Sequence, residues 1–196
     1  MVVVGITGGI GSGKTTIANY IKSFGIPLYV ADKEAKALMN RSKVIKRKLI
    51  QLFGDKAYVD GKLNRPFLAK MIFNDKSLLN QMNAIVHPKV ASHFKRWLKK
   101  QDAPYILKEA AIIFENNLQS NYDYIITVVA DENLRIERIL DRDDTTQEKI
   151  KAIINNQWTD SQKKELSDFV ISNNDLDQAK KQALQIHTKL LKITAE

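Results

Sequence analysis

The stretch VVVGITGGIGSGKTT, residues 2–16, carries five of the eight glycines of this chain. Its second half, GGIGSGKT at residues 8–15, matches the phosphate-binding pattern G-x-x-x-x-G-K-[ST]. The apolar residues 2–6 before the loop predict a strand that is buried on both faces. A helix is predicted after the loop, from Lys14 to about Phe24. Strand, glycine loop and helix in this order are the context that the pattern requires, so a site for a nucleotide phosphate is predicted.

The glycine loop predicts a ligand that carries phosphates and Mg²⁺. Glycines allow backbone N–H groups to turn toward a phosphate, and the start of the helix adds partial positive charge. Lys14 is predicted to reach the β- and γ-phosphates, and the Thr15 hydroxyl is predicted to bind Mg²⁺. The predicted ligand is therefore a nucleoside triphosphate with Mg²⁺. The residues predicted to bind it are Gly9, Gly11, Ser12, Gly13, Lys14, Thr15 and Thr16.

The rest of the chain alternates between predicted strands and predicted helices. Further strands are predicted at residues 28–30, 105–107, 124–130 and 169–171. Helices are predicted over residues 42–53, about 132–141, about 147–157 and about 179–193. Two more are predicted on either side of His87, with Pro88 in the first turn of the second. This order predicts an α/β fold, a P-loop NTPase-type parallel sheet with helices on both faces.

The excess of positive over negative charge lies entirely in the middle of the chain. The net charge is +9, but residues 32–100 hold 17 Lys/Arg against 5 Asp/Glu, a balance of +12. The remaining residues hold 14 against 17, a balance of −3. This asymmetry favours a polyanionic partner, either nucleic acid or a phosphate-rich small molecule. The same stretch interrupts the alternation of strands and helices, so we expect a helical insertion there.

Composition excludes several other classes of protein. The chain has no cysteine, which excludes a disulfide framework, a thiolate metal site and a cysteine nucleophile, and which fits a reducing compartment. No apolar run approaches the roughly 20 residues that span a bilayer. We therefore expect a soluble cytoplasmic protein, with a monomer as the default.

Three acidic residues are candidates for chemistry at the γ-phosphate. No N-K-x-D motif typical of a GTPase is present, and a small P-loop kinase needs a base beside the acceptor hydroxyl. Asp32 follows the second predicted strand and is the candidate base, although it could equally be a helix N-cap. Glu109 could order Mg²⁺ or its waters, and Glu115 lies in the following IIFE stretch; a surface or capping role is the alternative for both.

Three arginines share one face of a predicted helix. Arg135, Arg138 and Arg142 are spaced as on one helical face and lead into a polar turn, as expected of a lid that clamps phosphates. The alternative is a solvated basic face paired with Glu132 or Glu137.

Several motifs together resemble one family. They are ITGGIGSGKTT at 6–16, VAD at 30–32, GKLNRPFLAKMIF at 61–73, IVHP at 85–88, IIFE at 112–115, RIERILDRD at 135–143, NNQ at 155–157 and SDFVISNN at 167–174. In this order, and over nearly the whole chain, the sequence is similar to the dephospho-coenzyme A kinases. The phosphate loop alone is shared by many kinases, whereas GKLNR, IVHP and IIFE together are far more specific.

The resemblance implies a reaction and a set of residues. It implies transfer of the γ-phosphoryl group of ATP to the ribose 3′-hydroxyl of dephospho-coenzyme A, with Mg²⁺. The implied catalytic residues are Asp32 as base, Lys14 and Arg138. Arg138 and Arg142 are expected to meet the ATP phosphates, and Asn174 to lie near the adenine together with Asn173. The residues expected to bind the acceptor are Asp32, Arg65, His87 and Glu115, although His87 could equally be structural.

We expect one P-loop kinase domain in three parts. The core comprises residues 1–31, 103–134 and 167–196, the substrate-binding helical insertion 32–102, and the lid 135–166. Two other functions compete with the family reaction. One is a kinase of the same architecture that acts on another hydroxyl, such as a nucleoside monophosphate. The other, ranked last, is a nucleic-acid-binding ATPase, motivated by the basic segment.

Overall fold

The computed structural model describes residues 1–73 and 75–195, which divide into two compact units. The first unit comprises residues 1–30 and the described part of the chain from residue 101 onward. The second unit is the continuous stretch Ala31–Lys100.

Strands and helices alternate through most of the described chain. The strands are β1 (Val2–Thr7), β2 (Leu28–Val30), β3 (Tyr58–Val59), β4 (Lys62–Leu63), β5 (Tyr105–Glu109), β6 (Tyr124–Val129) and β7 (Phe169–Ser172). The helices are α1 (Lys14–Lys22), α2 (Ala31–Arg41), α3 (Lys43–Phe53), α4 (Arg65–Phe73), α5 (Lys76–Leu98), α6 (Glu132–Arg142), α7 (Gln147–Asn155), α8 (Asp160–Glu165) and α9 (Leu176–Ile193). None of the described helices combines the length and the apolar character needed to cross a membrane.

A five-stranded parallel sheet flanked by helices forms the first unit, as the sequence predicts. Its strand order is β2-β5-β1-β6-β7. The central strand β1 pairs with β5 (Val2 opposite Tyr105) and with β6 (Val4 opposite Tyr124). Because all the strands are parallel, the loops after β1, β5, β6 and β7 leave the sheet at the same edge. The strands bury apolar side chains against α1 and α9, a core that includes Val4, Ile6, Ile17, Leu107, Ile126, Val128, Ala183 and Leu190.

The second unit is helical and has a hydrophobic cluster of its own. Buried side chains from α2, α3, α4 and α5 form it, among them Leu38, Ile45, Leu49, Phe53, Leu68 and Val86. The antiparallel hairpin β3–β4 is not among the predicted strands. Its turn residues Asp60 and Gly61 both have positive φ, 48° and 77°, and an Asp-Gly pair is a known sequence signal for such a turn.

The prediction of two helices on either side of His87 is wrong. A single helix, α5, runs through this region with Pro88 in its interior. Proline removes one helical hydrogen bond at a cost of about 3 kcal/mol. The helix continues because apolar side chains are buried both before the proline, at Val86, and after it, at Phe94.

Candidate active site

The phosphate loop lies between β1 and α1 and ends in a left-handed residue. Gly13 has φ 84°, a conformation that favours glycine, and α1 begins at the next residue. The first helical hydrogen bond runs from the Ile17 N–H to the Gly13 carbonyl oxygen, 3.1 Å. The N–H groups of Thr15 and Thr16 therefore have no acceptor within the helix, and such groups are the usual anion site at a helix start.

Several glycines of the loop lie too close to neighbouring protein atoms to carry a Cβ atom. A Cβ atom at Gly8 would collide with the Val128 carbonyl oxygen, and one at Gly13 would collide with the Asn173 amide. A Cβ atom at Gly9 would collide with the guanidinium of Arg135. The sequence interpretation assigned the glycines to the ligand alone, because pattern matching does not reveal these neighbours.

Thr15 and Glu109 come together at the carboxyl edge of the sheet. The Thr15 hydroxyl donates a hydrogen bond to Glu109 Oε1, 2.5 Å away. The other carboxylate oxygen, Oε2, is buried and has no hydrogen-bond partner among the described residues. A hydroxyl and a free carboxylate oxygen fit Mg²⁺, which takes few protein ligands and keeps waters. The described residues contain no cluster of three acidic or histidine side chains that would hold a metal unaided.

Arg138 points a buried donor toward the start of α1. Its Nη2 donates a hydrogen bond to the Asn173 carbonyl oxygen, 2.9 Å, while its Nη1 is buried without a hydrogen-bond partner among the described residues. A Cβ atom at Gly13 would lie 4.0 Å from that Nη1. The guanidinium thus has one donor committed to the protein and another beside the phosphate loop.

The other two arginines of α6 have different environments. The Arg135 side chain is 7% exposed, and its Nη1 lies 3.5 Å from Asp160 Oδ1. Its Nε donates to the carbonyl oxygen of Ile10 in the phosphate loop, 2.8 Å. Arg142 is exposed and donates two hydrogen bonds to Asp143, which lower the pKa of that carboxyl group. The arginines therefore do not form one common clamp in this structure.

Glu115 makes an ion pair that the sequence does not predict. Its Oε1 lies 2.8 Å from Nζ of the fully buried Lys163 and also accepts the backbone N–H of Trp158, 3.1 Å. The Trp158 ring stacks on Phe114. Lys163 belongs to a polar stretch that is typical of an exposed helix, so no sequence signal marked it. Glu115 Oε2 is buried and has no hydrogen-bond partner among the described residues.

Asn173 and Asn174 follow β7 and contact two different loops. Asn173 Nδ2 donates to the Ser12 carbonyl oxygen, 2.8 Å, and Asn174 Oδ1 accepts the backbone N–H of Asp131, 2.9 Å. Asn174 also lines a largely polar cavity of about 540 Å³ together with residues of α6 and α8. Whether Asn174 contacts an adenine ring stays a prediction.

The remaining predicted residues belong to the second unit. Asp32 is exposed, and the interpretation of Asp32 as a helix N-cap is wrong because α2 begins one residue earlier, at Ala31, directly after β2. Arg65 is the exposed first residue of α4 and lines a cavity of about 530 Å³ together with Lys62. His87 is exposed on α5.

Comparison with known proteins gives one consistent result. The family model described as dephospho-CoA kinase matches residues 2–178. A dephospho-CoA kinase of Bacteroides fragilis is 37% identical over 171 residues, which cover 87% of this chain and 83% of the relative. A solved protein from Thermus thermophilus superposes with a TM-score of 0.88 at 28% identity, covering 96% of each chain. The solved dephospho-CoA kinase of Campylobacter jejuni has the same fold, with a TM-score of 0.70 at 23% identity over 97% of each chain.

Proposed function

The chain belongs to the dephospho-CoA kinase family, and from this premise we propose that its phosphate loop holds ATP while Asp32 activates the hydroxyl of the acceptor. The protein is an ATP-dependent kinase. The reaction moves the γ-phosphoryl group of ATP to the ribose 3′-hydroxyl of dephospho-CoA and yields CoA and ADP. The observation that carries the assignment of residues is that the buried Nη1 of Arg138 and the N–H groups of Thr15 and Thr16 lie together at the start of α1.

The donor side of the reaction is assigned to the first unit. The N–H groups of the first turn of α1, at Lys14, Thr15 and Thr16, bind the β-phosphate, with Gly11, Ser12 and Gly13 completing the loop. Lys14 reaches the β- and γ-phosphates as a point charge. The buried Nη1 of Arg138 supplies a further donor for the charge that develops on the transferred group. Arg142 would join it by exchanging Asp143 for a phosphate.

We assign the binding of Mg²⁺ to two residues, Thr15 and Glu109. The Thr15 hydroxyl would bind Mg²⁺ directly, and the free Oε2 of Glu109 would bind it through a water. When bound, Mg²⁺ neutralises charge on the β- and γ-phosphate oxygens.

The proposed acceptor contacts are Asp32, Arg65 and His87 of the second unit and Glu115 of the first unit. Asp32 accepts the proton of the 3′-hydroxyl while that oxygen attacks the γ-phosphorus and ADP leaves. Arg65 and His87 are the proposed acceptor contacts, and the surplus of 17 Lys/Arg over 5 Asp/Glu in residues 32–100 suits an acceptor that carries a diphosphate. For Glu115 only Oε2 is left for the acceptor, because Oε1 already has two partners. We further propose that the enzyme works as a cytoplasmic monomer on small molecules, without nucleic acid.

The variant Asp32→Asn tests the proposed base. Asparagine keeps the size of the side chain but cannot take the proton, so kcat should fall by about 10²–10⁴-fold while the Kd for ATP stays unchanged. Coupled detection of ADP measures kcat, and calorimetry with a non-hydrolysable ATP analogue measures binding.

The matched control is Asp55→Asn, an acidic residue of the same unit that lies at the start of a short 3₁₀ helix. It should leave kcat as it is. An Asp32→Asn enzyme that turns over at the wild-type rate would show that another group is the base. A parallel panel with nucleoside monophosphates as acceptors should give no ADP above the background.

A further inference from the structure

The backbone N–H and the backbone carbonyl oxygen of Ile10 in the phosphate loop both form hydrogen bonds with side chains. Its N–H donates a hydrogen bond to Gln157 Oε1, 2.9 Å, and its carbonyl oxygen accepts the Nε–H of Arg135, 2.8 Å. Both partners lie far away in sequence: Gln157 is the second residue after α7, and Arg135 belongs to α6. Both backbone polar groups of one residue in a glycine-rich loop are thus held by side chains.

The surroundings of Arg135 show a close fit to the loop. The absence of a side chain at Gly9 leaves the space that the Arg135 guanidinium fills, and a Cβ atom at Gly11 would lie 2.5 Å from the Arg135 carbonyl oxygen. Nη1 of the same guanidinium lies 3.5 Å from Asp160, the first residue of α8. Helix α6, the end of α7 and helix α8 therefore all meet at this side of the loop.

The side chain of Ile10 adds an apolar contact to the same helices. It packs against a small cluster formed by Ile136 and Ile139 of α6 and Ile150 of α7. The side chain and both backbone polar groups of Ile10 are thus held by a single segment of the chain, residues 135–160.

We propose that Gln157 and Arg135 are positioning residues that hold the phosphate loop in its binding conformation and couple it to α7 and α8. A loop with glycines on both sides of Ile10 has many accessible conformations, and ordering it costs conformational entropy. We call the two hydrogen bonds from Gln157 and Arg135 to Ile10 the Ile10 clamp. Because the Ile10 clamp orders the loop before the nucleotide binds, the affinity for the nucleotide depends on the position of α7 and α8. By linkage, a bound nucleotide must stabilise the same position of these helices. The proposal rests on the proposed function only in that the loop binds ATP.

The variant Gln157→Met tests whether the hydrogen bond from the Ile10 N–H to Gln157 supports nucleotide binding. Methionine has a similar length but cannot accept the Ile10 N–H, so the Kd for a non-hydrolysable ATP analogue with Mg²⁺ should rise by about tenfold. The KM for ATP should rise in parallel, whereas the KM for dephospho-CoA should stay unchanged. A role limited to global stability would not separate the two KM values.

The matched control is Asn156→Met, which replaces the neighbouring amide. The Asn156 side chain is exposed, and among the described residues its hydrogen-bond partner is the Ala152 carbonyl oxygen in α7. This variant should bind the ATP analogue as the wild type does. A folded Gln157→Met protein whose Kd lies within twofold of the wild-type value would overturn the proposal.

Hydrogen exchange of the wild-type protein tests the coupling without any variant. The Ile10 amide should already be protected without nucleotide, and the ATP analogue should slow exchange in residues 157–165. An Ile10 amide that exchanges as fast as an open loop would contradict the Ile10 clamp. Unchanged exchange in α8 on binding would contradict the coupling. Neither readout uses the acceptor, so a wrong acceptor assignment would leave this result standing.

Discussion

Arg138 is the residue whose surroundings most directly predict a ligand. A buried donor without a partner costs about 1–3 kcal/mol, and such groups are rare in folded proteins. Among the residues that the structure describes, none accepts a hydrogen bond from the buried Nη1 of Arg138, which lies beside Gly13, while Nη2 donates to the Asn173 carbonyl oxygen. A phosphate oxygen would supply the missing acceptor, so the cost in the free enzyme would be offset in the nucleotide complex.

The variant Arg138→Lys should show whether catalysis needs only the positive charge of Arg138 or also the geometry of its guanidinium. Lysine keeps the charge, but its single nitrogen cannot bond Asn173 and a phosphate in the two directions that the guanidinium offers. We expect kcat to fall by about 10²-fold with an unchanged KM for dephospho-CoA. Steady-state kinetics with both substrates varied would measure this. Arg47→Lys, at an exposed position on α3, is the control, and equal kinetics for the two variants would refute the role of Arg138.

Single residues also mark the limit of prediction from the sequence. The pattern at residues 8–15 is local, so it predicted the loop between a strand and a helix without a structure, and it named Lys14 and Thr15 as candidate ligands. Gln157 and Lys163 act through partners far away along the chain, Ile10 and Glu115. A lone glutamine or lysine in a polar stretch carries no signal for such a contact, because the contact exists only once the sheet has brought the segments together.

At the scale of elements, helix α8 is attached to the loop after β5 by a buried ion pair. The Lys163 side chain is 0% exposed and the Glu115 side chain 12% exposed. A pair in these surroundings gains little net stability, but removing one partner leaves an uncompensated charge. The attachment of α8 therefore depends on both members together.

The variant Lys163→Met should lose about 3–5 kcal/mol of unfolding free energy. The double variant Lys163→Met/Glu115→Gln should lose clearly less, because no charge is then left unpaired. Urea unfolding followed by circular dichroism would measure both. A Lys163→Met protein as stable as the wild type would mean that water reaches Glu115 and screens its charge.

Elements with strong local patterns were predicted best. The strands of the parallel sheet are continuous apolar runs, and all five lie close to their predicted positions. Helix α5 was divided in error, because a proline is a local signal for a helix start whereas the burial that carries the helix through Pro88 is a tertiary effect. Helices α4 and α8 and the two-residue strands β3 and β4 were missed, because these short elements show little periodicity.

At the scale of the whole molecule, charge is divided between the two units. The second unit carries the balance of +12, and the rest of the chain carries −3. Fields from many like charges raise the local concentration of an anionic substrate, and salt screens them. We therefore expect charge to affect capture of the acceptor more than the chemical step.

Raising NaCl from about 50 to about 500 mM should increase the KM for dephospho-CoA several-fold and change kcat little. The double variant Lys43→Gln/Lys48→Gln, on α3, should weaken this salt dependence. The matched pair Lys181→Gln/Lys192→Gln, on α9 of the first unit, should not. A KM for dephospho-CoA that is independent of salt would exclude long-range attraction by the second unit.

The strand order has a consequence for the synthesis of the protein. The central strand β1 lies between β5 and β6, and these two strands begin far along the chain, at Tyr105 and Tyr124. A ribosome adds about 5–20 residues per second, so β1 emerges about 5–20 s before its first partner. The second unit is continuous and has its own cluster, so we expect it to fold first on the nascent chain. The nucleotide site would then form late, after the second unit has folded. Until β5 is synthesised, β1 would remain an exposed apolar segment to which chaperones can bind.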